Sequence, residues 1–185
     1  MKPTVKKIGA ALLDGAKNTL SGVKRRWMYL LIILACILLD QVTKYLATAY
    51  LRPVGDFPIW DGVLHLTYTV NPGAAFGMLA DNRAVFMVIS GIAIPAMLVY
   101  LLIRREATPL LDWGLALVVG GGIGNMFDRI GLGYVVDFIY FKIINFAKFN
   151  IADSCVCIGA GLIILALLRD IIREAKALRA ERDTQ

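Results

Sequence analysis

Apolar residues gather in four long runs along this chain, near 27–47, 84–103, 110–127 and 151–168, with polar or turn-rich stretches between them. A helix needs about 20 mostly apolar residues to cross a bilayer, and each run approaches that length. The first, WMYLLIILACILLDQVTKYLA, enters through Trp27 and Tyr29 and leaves through an amphipathic turn. Only RREATP separates the second run from the third, which predicts a tight helical hairpin. Elsewhere the period changes. HLTYTV at 65–70 alternates branched or aromatic residues with others, and Pro53, Gly55, Pro58 and Gly62 punctuate its approach, so a short strand or hairpin is expected there. GYVVDFIYFKI at 133–143 has the same character. The expected fold class is a membrane all-α protein of four transmembrane helices with a small outward-facing β-rich subdomain.

Composition supports the membrane reading. Of 185 residues, 58% are hydrophobic and 18% charged, and the mean hydropathy is +0.68, too apolar for an ordinary soluble domain. The net charge of +6 would suit nucleic acid in a polar chain, but here its placement gives a different reading, and no nucleic-acid partner is expected. Fourteen of the twenty Lys and Arg residues fall before Trp27, in the RREATP linker or after Leu168. The positive-inside rule then puts both termini in the cytoplasm, with segments 48–83 and 128–150 and the start of the fourth helix facing outward. The chain divides into a basic cytoplasmic leader (1–26), a four-helix membrane domain (27–168) and a cytoplasmic tail (169–185). The leader, VKKIGAALLDGAKNTLSGVKRR, reads as a weakly ordered basic segment interrupted by Gly9, Gly15 and Gly22, with a surface-lying amphipathic helix as the alternative. The first apolar run is too long for a cleavable signal, and no small-x-small site follows it, so it is read as a retained anchor.

Several familiar chemistries find little support. Cys155 and Cys157 project about 200° apart on a helix, and Cys36 lies in another, so packing is the better reading of all three cysteines. His65, the single histidine, is expected to be structural or on the surface; no metal and no cofactor are expected. Without a histidine nearby, Ser90 and Ser154 are weak nucleophile candidates. GGGIGN at 120–125 lacks the Lys-Ser/Thr of a phosphate loop and the spacing of a dinucleotide fingerprint. Gly120 and Gly124, like Gly73 and Gly77, instead form small-xxx-small pairs suited to close helix packing.

Ionisable residues inside a membrane are costly and default to functional hypotheses. Here they gather at one depth: Asp40 and Lys44 near the outward end of the first helix, Asn125, Asp128 and Arg129 at that of the third, Asp153 opening the fourth, and Asn71 and Asp137 in the outward segments. Each has a plainer reading. Asp40 and Lys44 suit an i, i+4 ion pair, Asp128 and Arg129 can mark the interface, and Asn71 in NPG can be a turn residue. Asp137 and Asp153 fit those readings least. Two carboxyls within about 3 Å cannot both ionise, and a pair sharing one proton can activate water while polarising a carbonyl, which is peptide hydrolysis without a metal. Their separation of sixteen residues does not itself show that they meet.

Five ordered blocks carry a resemblance: DQVTK at 40–44, NPGAAFG at 71–77, GGGIGNMFDR at 120–129, VVDF at 135–138 and FNIADS at 149–154. Through them the chain resembles the lipoprotein signal peptidases, or signal peptidase II, the bacterial inner-membrane aspartic proteases. The resemblance implies that Asp137 and Asp153 are the catalytic aspartates, and that Asp128 is not. It further implies that Asn71, Gly73, Asn125, Arg129 and Asn150 line the site or hold substrate, with Asp40 and Lys44 supporting it. The implied activity removes the signal peptide of a diacylglyceryl-modified prolipoprotein, cutting on the N-terminal side of the lipidated cysteine. The implied setting is the bacterial cytoplasmic membrane, with the active site toward its outer face and the enzyme a monomer. Two rival readings stand beside this one, a small proton- or cation-coupled transporter and a non-enzymatic assembly factor using the outward strands. Against the transporter stands the gathering of polar residues at one end of the helices.

Overall fold

The structure is a computed structural model that describes residues 2–73, 83–104 and 108–183, with side-chain detail from Gly22 onward. Four long helices carry it: α1 (Lys2–Leu46), α2 (Arg83–Ile103), α3 (Pro109–Gly131) and α4 (Ile151–Arg182). After α1 the chain widens into a π-helical turn (Ala47–Leu51). Among the described residues three strands follow, β1 (Asp56–Trp60) and β2 (Leu64–Asn71) after that turn and β3 (Val135–Phe141) after α3. They form one antiparallel sheet in the order β1-β2-β3.

The leader differs from its sequence reading. α1 begins at Lys2, so the basic segment is helical and continuous with the first apolar run. Each interior glycine costs about 1 kcal/mol relative to alanine, but an adjoining helix removes the nucleation cost, and the lysines, alanines and leucines favour helix. Both expected boundaries of the membrane domain, at 26/27 and 168/169, therefore fall inside helices. Among the described residues, three helical stretches are long and apolar enough to cross a membrane, Gly22–Val54, Pro109–Gly131 and Ile151–Arg182. A shorter apolar stretch, Met87–Ile103, lies in α2.

Glycines explain why α3 can pack against all three other helices. A Cβ at Gly120 or Gly124 would run into Cys36 or Asp40 of α1, one at Gly122 into Ile94 of α2, and one at Gly114 or Gly121 into the backbone of α4 at Gly159 or Ala152. The run that resembles a phosphate loop is thus a packing device. Of the second glycine pair, Gly77 lies outside the described residues. Tyr29, Ile33, Leu101, Leu115, Ala116 and Val119 form the buried apolar layer between the helices, while Leu31, Leu38, Ile92 and Ile164 point outward into what would be lipid.

The sheet's outer hairpin is pinned by His65. Its Nε2 accepts from Gly62 N, so the ring proton sits on Nδ1 and donates to Asp56 Oδ2 at 2.8 Å. Hydrogen bonds from Thr67 and His65 hold the Asp56 carboxyl below the usual carboxylate range. The histidine is structural, in line with its sequence reading.

Candidate active site

Four elements converge at the end of the bundle where α3 finishes and α4 begins. α3 ends there with Asn125, Asp128 and Arg129. Leu132 N and Gly133 N then close onto the Asp128 carbonyl, and Gly133, at φ 88°, turns the chain into β3. β3 carries Asp137, which is paired in register with Thr69 of β2, and Asn71 closes the same strand pair opposite Val135. α4 starts just beyond, with Asn150 as its N-cap.

Asp153 owes its place at the helix mouth to that cap. Asn150 Oδ1 accepts from Asp153 N at 2.9 Å, while Asn150 N donates to Asp153 Oδ2 at 3.2 Å, a reciprocal capping box. A carboxylate in the first turn also faces the positive end of the helix dipole. Its other oxygen accepts from Asn125 Nδ2 at 2.8 Å.

Asp137 is 2% exposed and takes a hydrogen bond on each oxygen, from Asn150 Nδ2 at 2.8 Å and from Asn71 Nδ2 at 2.9 Å. Burial pushes its carboxyl up to about 6; the neighbouring charge of Asp153 adds to this, and the Asn71 and Asn150 amides oppose it. Asn150 bonds both aspartates, and its Nδ2 also reaches Asn125 Oδ1 at 3.2 Å. Beside Asp153 opens a largely apolar cavity of about 540 Å³, whose wall includes Asn71, Arg129, Phe146, Phe149 and Val156. Arg129 spans its edge, donating to Asn125 O and Gly73 O.

Behind this layer lies a buried ionic cluster. Lys44 Nζ sits 2.8 Å from Asp40 Oδ2, 2.9 Å from Asp128 Oδ2 and 2.8 Å from Asn125 Oδ1. The plain reading of Asp40 and Lys44 as an i, i+4 pair therefore holds, and the pair also reaches α3. Asp128 is held by a cation and hydrogen bonds, as a carboxylate at a helix C-terminus requires.

All nine residues singled out from sequence, Asp40, Lys44, Asn71, Gly73, Asn125, Arg129, Asp137, Asn150 and Asp153, thus belong to one connected network. Gln41 belongs to it as well, and the sequence reading passes over it. Its signal was its place inside DQVTK, three residues before Lys44 and on the same side of α1. The claim that polar residues gather only at one end needs correction. Asp112, 1% exposed near the start of α3, accepts from Tyr29 Oη and Arg104 Nη1, each at 3.1 Å. An apolar layer of Ile33, Ala116 and Val119 separates that cluster from the one around Lys44, and no such layer suits a transporter's relay. Among the described residues, no three His, Cys, Asp or Glu side chains are grouped to hold a metal ion.

A family model described as signal peptidase (SPase) II matches residues 32–169. The chain belongs to the signal peptidase II family. It is therefore an enzyme, an aspartic peptidase. Similar curated proteins are the lipoprotein signal peptidases of Caldanaerobacter subterraneus subsp. tengcongensis, 45% identical over 76% of this chain and 94% of that protein, and of Pelotomaculum thermopropionicum, 40% identical over 82% and 99%. A solved bacterial membrane enzyme, determined by the in meso method at 2.3 Å, superposes with a TM-score of 0.72 at 34% identity, covering 78% of this chain and 89% of that one. A second, at 1.9 Å, gives 0.69 at 34% identity, with 77% and 94% covered. Signal peptidase II membership and the mostly helical fold with its small sheet are thus settled together. The transporter reading has no support.

Proposed function

We propose that Asp137 and Asp153 are the catalytic pair with which this signal peptidase II removes the signal peptide of a diacylglyceryl-modified prolipoprotein. One observation carries the assignment: Asn150 bonds both carboxylates, and one of them, Asp153, lines the cavity. Asp153, which lines the cavity, takes a proton from water, and the resulting hydroxide adds to the scissile carbonyl. Asp137, pushed up to about 6, holds the shared proton and gives it to the carbonyl oxygen. Collapse of the tetrahedral intermediate breaks the C–N bond as the proton taken from water passes to the leaving amine and a hydroxyl proton of the intermediate returns to Asp137. Arg129 and Asn71 offer donors to substrate backbone at the cavity wall. The apolar wall suits the lipid and the apolar side chains beside the cut, since burying acyl chain contributes about 0.8 kcal/mol per methylene.

Cleavage of a lipidated precursor by the purified chain in detergent tests this reading. Turnover should survive excess chelator. A monoprotonated pair is lost as pH rises through the higher of its two apparent values, so kcat/KM should fall on the alkaline side with an apparent pKa at or above about 6, not near the usual carboxylate range. Inactivation by chelator, or an alkaline limb near 4, would refute the mechanism.

The architecture proposed is four spans, both termini in the cytoplasm and the site toward the outer face of a bacterial cytoplasmic membrane, in a monomer. α2, with 21 residues, is about 31 Å long at 1.5 Å per residue, enough for the hydrocarbon core. The division into leader 1–26, membrane domain 27–168 and tail 169–185 then marks where charge leaves the bilayer, not where helices end. A reporter fused after Glu106 or Gln185 should register cytoplasm, and one inserted at Asp56 the outside. Any reversal would overturn the orientation.

A further inference from the structure

Each aspartate of the proposed pair directly follows a residue whose backbone N–H is held by a buried carboxylate. Ala152 N, just before Asp153, donates to Asp40 Oδ1 at 2.9 Å. Val136 N, just before Asp137, donates to Asp128 Oδ2 at 3.2 Å. The two anchoring carboxylates belong to different helices and are joined by side chains of α1. Lys44 supplies the charge. Gln41 supplies a neutral crosspiece, its Nε2 lying 3.2 Å from Asp40 Oδ2, 3.0 Å from Asp128 Oδ1 and 3.1 Å from Gly124 O. All three of these neighbours are acceptors, so the amide nitrogen has to face them.

We propose that Gln41 is a positioning residue of the reaction: it ties Asp40 to Asp128 and thereby sets the backbone beside Asp153 relative to the backbone beside Asp137. The inference rests on the assignment of Asp137 and Asp153 as the catalytic pair. Lys44 alone leaves the pair of anchors loosely defined, because an ammonium is a point charge that tolerates rotation about itself, whereas a planar amide whose two N–H donors are shared among both anchors and the α3 backbone restricts their separation. Separation matters steeply for two carboxyls that share a proton. For two unit charges about 3 Å apart at an effective dielectric of about 20, an ångström of slack alters the repulsion by about one pH unit of the second ionisation. Misplacement of that size also costs turnover on the order of a hundredfold when it separates reacting groups.

Two substitutions test this. Gln41→Met keeps length and removes the donor; Gln41→Glu keeps shape and donates only when protonated. Both are measured as the full chain in detergent, by single-turnover cleavage of a diacylglyceryl-modified precursor across pH and by KM, with thermal unfolding and with Asp137→Asn in parallel. The groups facing the pair are Asp40 and Lys44 from α1, Asn125, Asp128 and Arg129 from α3, Asn71 from β2 and Asn150 at the start of α4, so a displaced limb reports these carboxyls and the pair itself. Gln41→Met should lower kcat about ten- to a hundredfold with KM within about twofold, and should displace the alkaline limb. Gln41→Glu should recover turnover toward acid, where the protonated side chain donates again, and fall below Gln41→Met toward alkali. A wild-type kcat and limb in Gln41→Met would overturn the proposal. So would a loss of activity that tracks thermal stability with the limb unmoved, since that is a structural role only. Turnover in Asp137→Asn would instead refute the catalytic pair, a result distinguishable from either outcome at Gln41.

Discussion

Asp137→Asn and Asp153→Asn are each expected to lose at least about a thousandfold in single-turnover cleavage of a lipidated precursor, because each removes a proton-transfer group that has no neighbour able to replace it. Folding should survive both changes. Asparagine matches aspartate in volume, and at position 153 its carbonyl can still accept from Asn150 N and so keep the capping box closed, at the cost of the bond from Asn125 Nδ2, which then faces the new amide nitrogen. At position 137 the new amide meets two donors, Asn71 Nδ2 and Asn150 Nδ2, so one of those bonds is lost at a cost of about 1–3 kcal/mol. Membrane insertion, set by the apolar runs, is untouched by either change. Thermal unfolding should therefore fall modestly for both variants, while turnover disappears in both. Cleavage near the wild-type rate by either variant would end the assignment.

Asp128→Asn should show the opposite balance, with a larger loss of stability and a partial loss of turnover. Its oxygens accept from three donors, Gln41 Nε2, Lys44 Nζ and Val136 N, and an amide can satisfy only one side of that arrangement. Lys44 keeps Asp40 and Asn125, so its charge is not stranded. The expected cost is about 2–4 kcal/mol, between that of an unsatisfied buried donor and that of a broken buried ion pair. Turnover should drop about tenfold and not vanish, since the aspartates beside the cavity are intact. Running Asp128→Asn beside Asp137→Asn separates the roles. Complete loss of chemistry in a well-folded Asp128→Asn, with substantial activity left in Asp137→Asn, would move the catalytic role to Asp128.

Much of the frame was legible before any coordinates. The period-two stretch at 65–70 lies within β2, and VVDF opens β3. The glycine run was readable as packing because it fits no nucleotide template, and close approach is what an absent Cβ permits. A carboxylate at a helix C-terminus needs a cation, and Asp128 has Lys44. Other features were not legible. Glycine spacing in the leader argued against the helix that starts at Lys2, because propensity is a local quantity and the adjoining apolar span decides nucleation. Gln41 carries no charge, and its place inside DQVTK marks it only once Asp128 and Gly124, more than 80 residues away, are brought against it. Asp112 reads as an acidic first-turn residue until Tyr29 and Arg104, remote in the chain, are brought against it.

Hydropathy therefore determined which stretches are apolar helices and which lie between them, because transfer to a bilayer is close to a sum over residues and can be read along the chain. The family blocks nominated the aspartates. Only the tertiary structure decided which polar groups meet, since a hydrogen bond requires two atoms within about 3 Å. Ala152 and Asp40 are 112 residues apart, and Asn71 and Asp137 are 66 apart. Those distances close because the glycines of α3 let α1 and α4 approach it from two sides, while the β2–β3 register carries Asp137 to the junction, and neither is a property of any single segment.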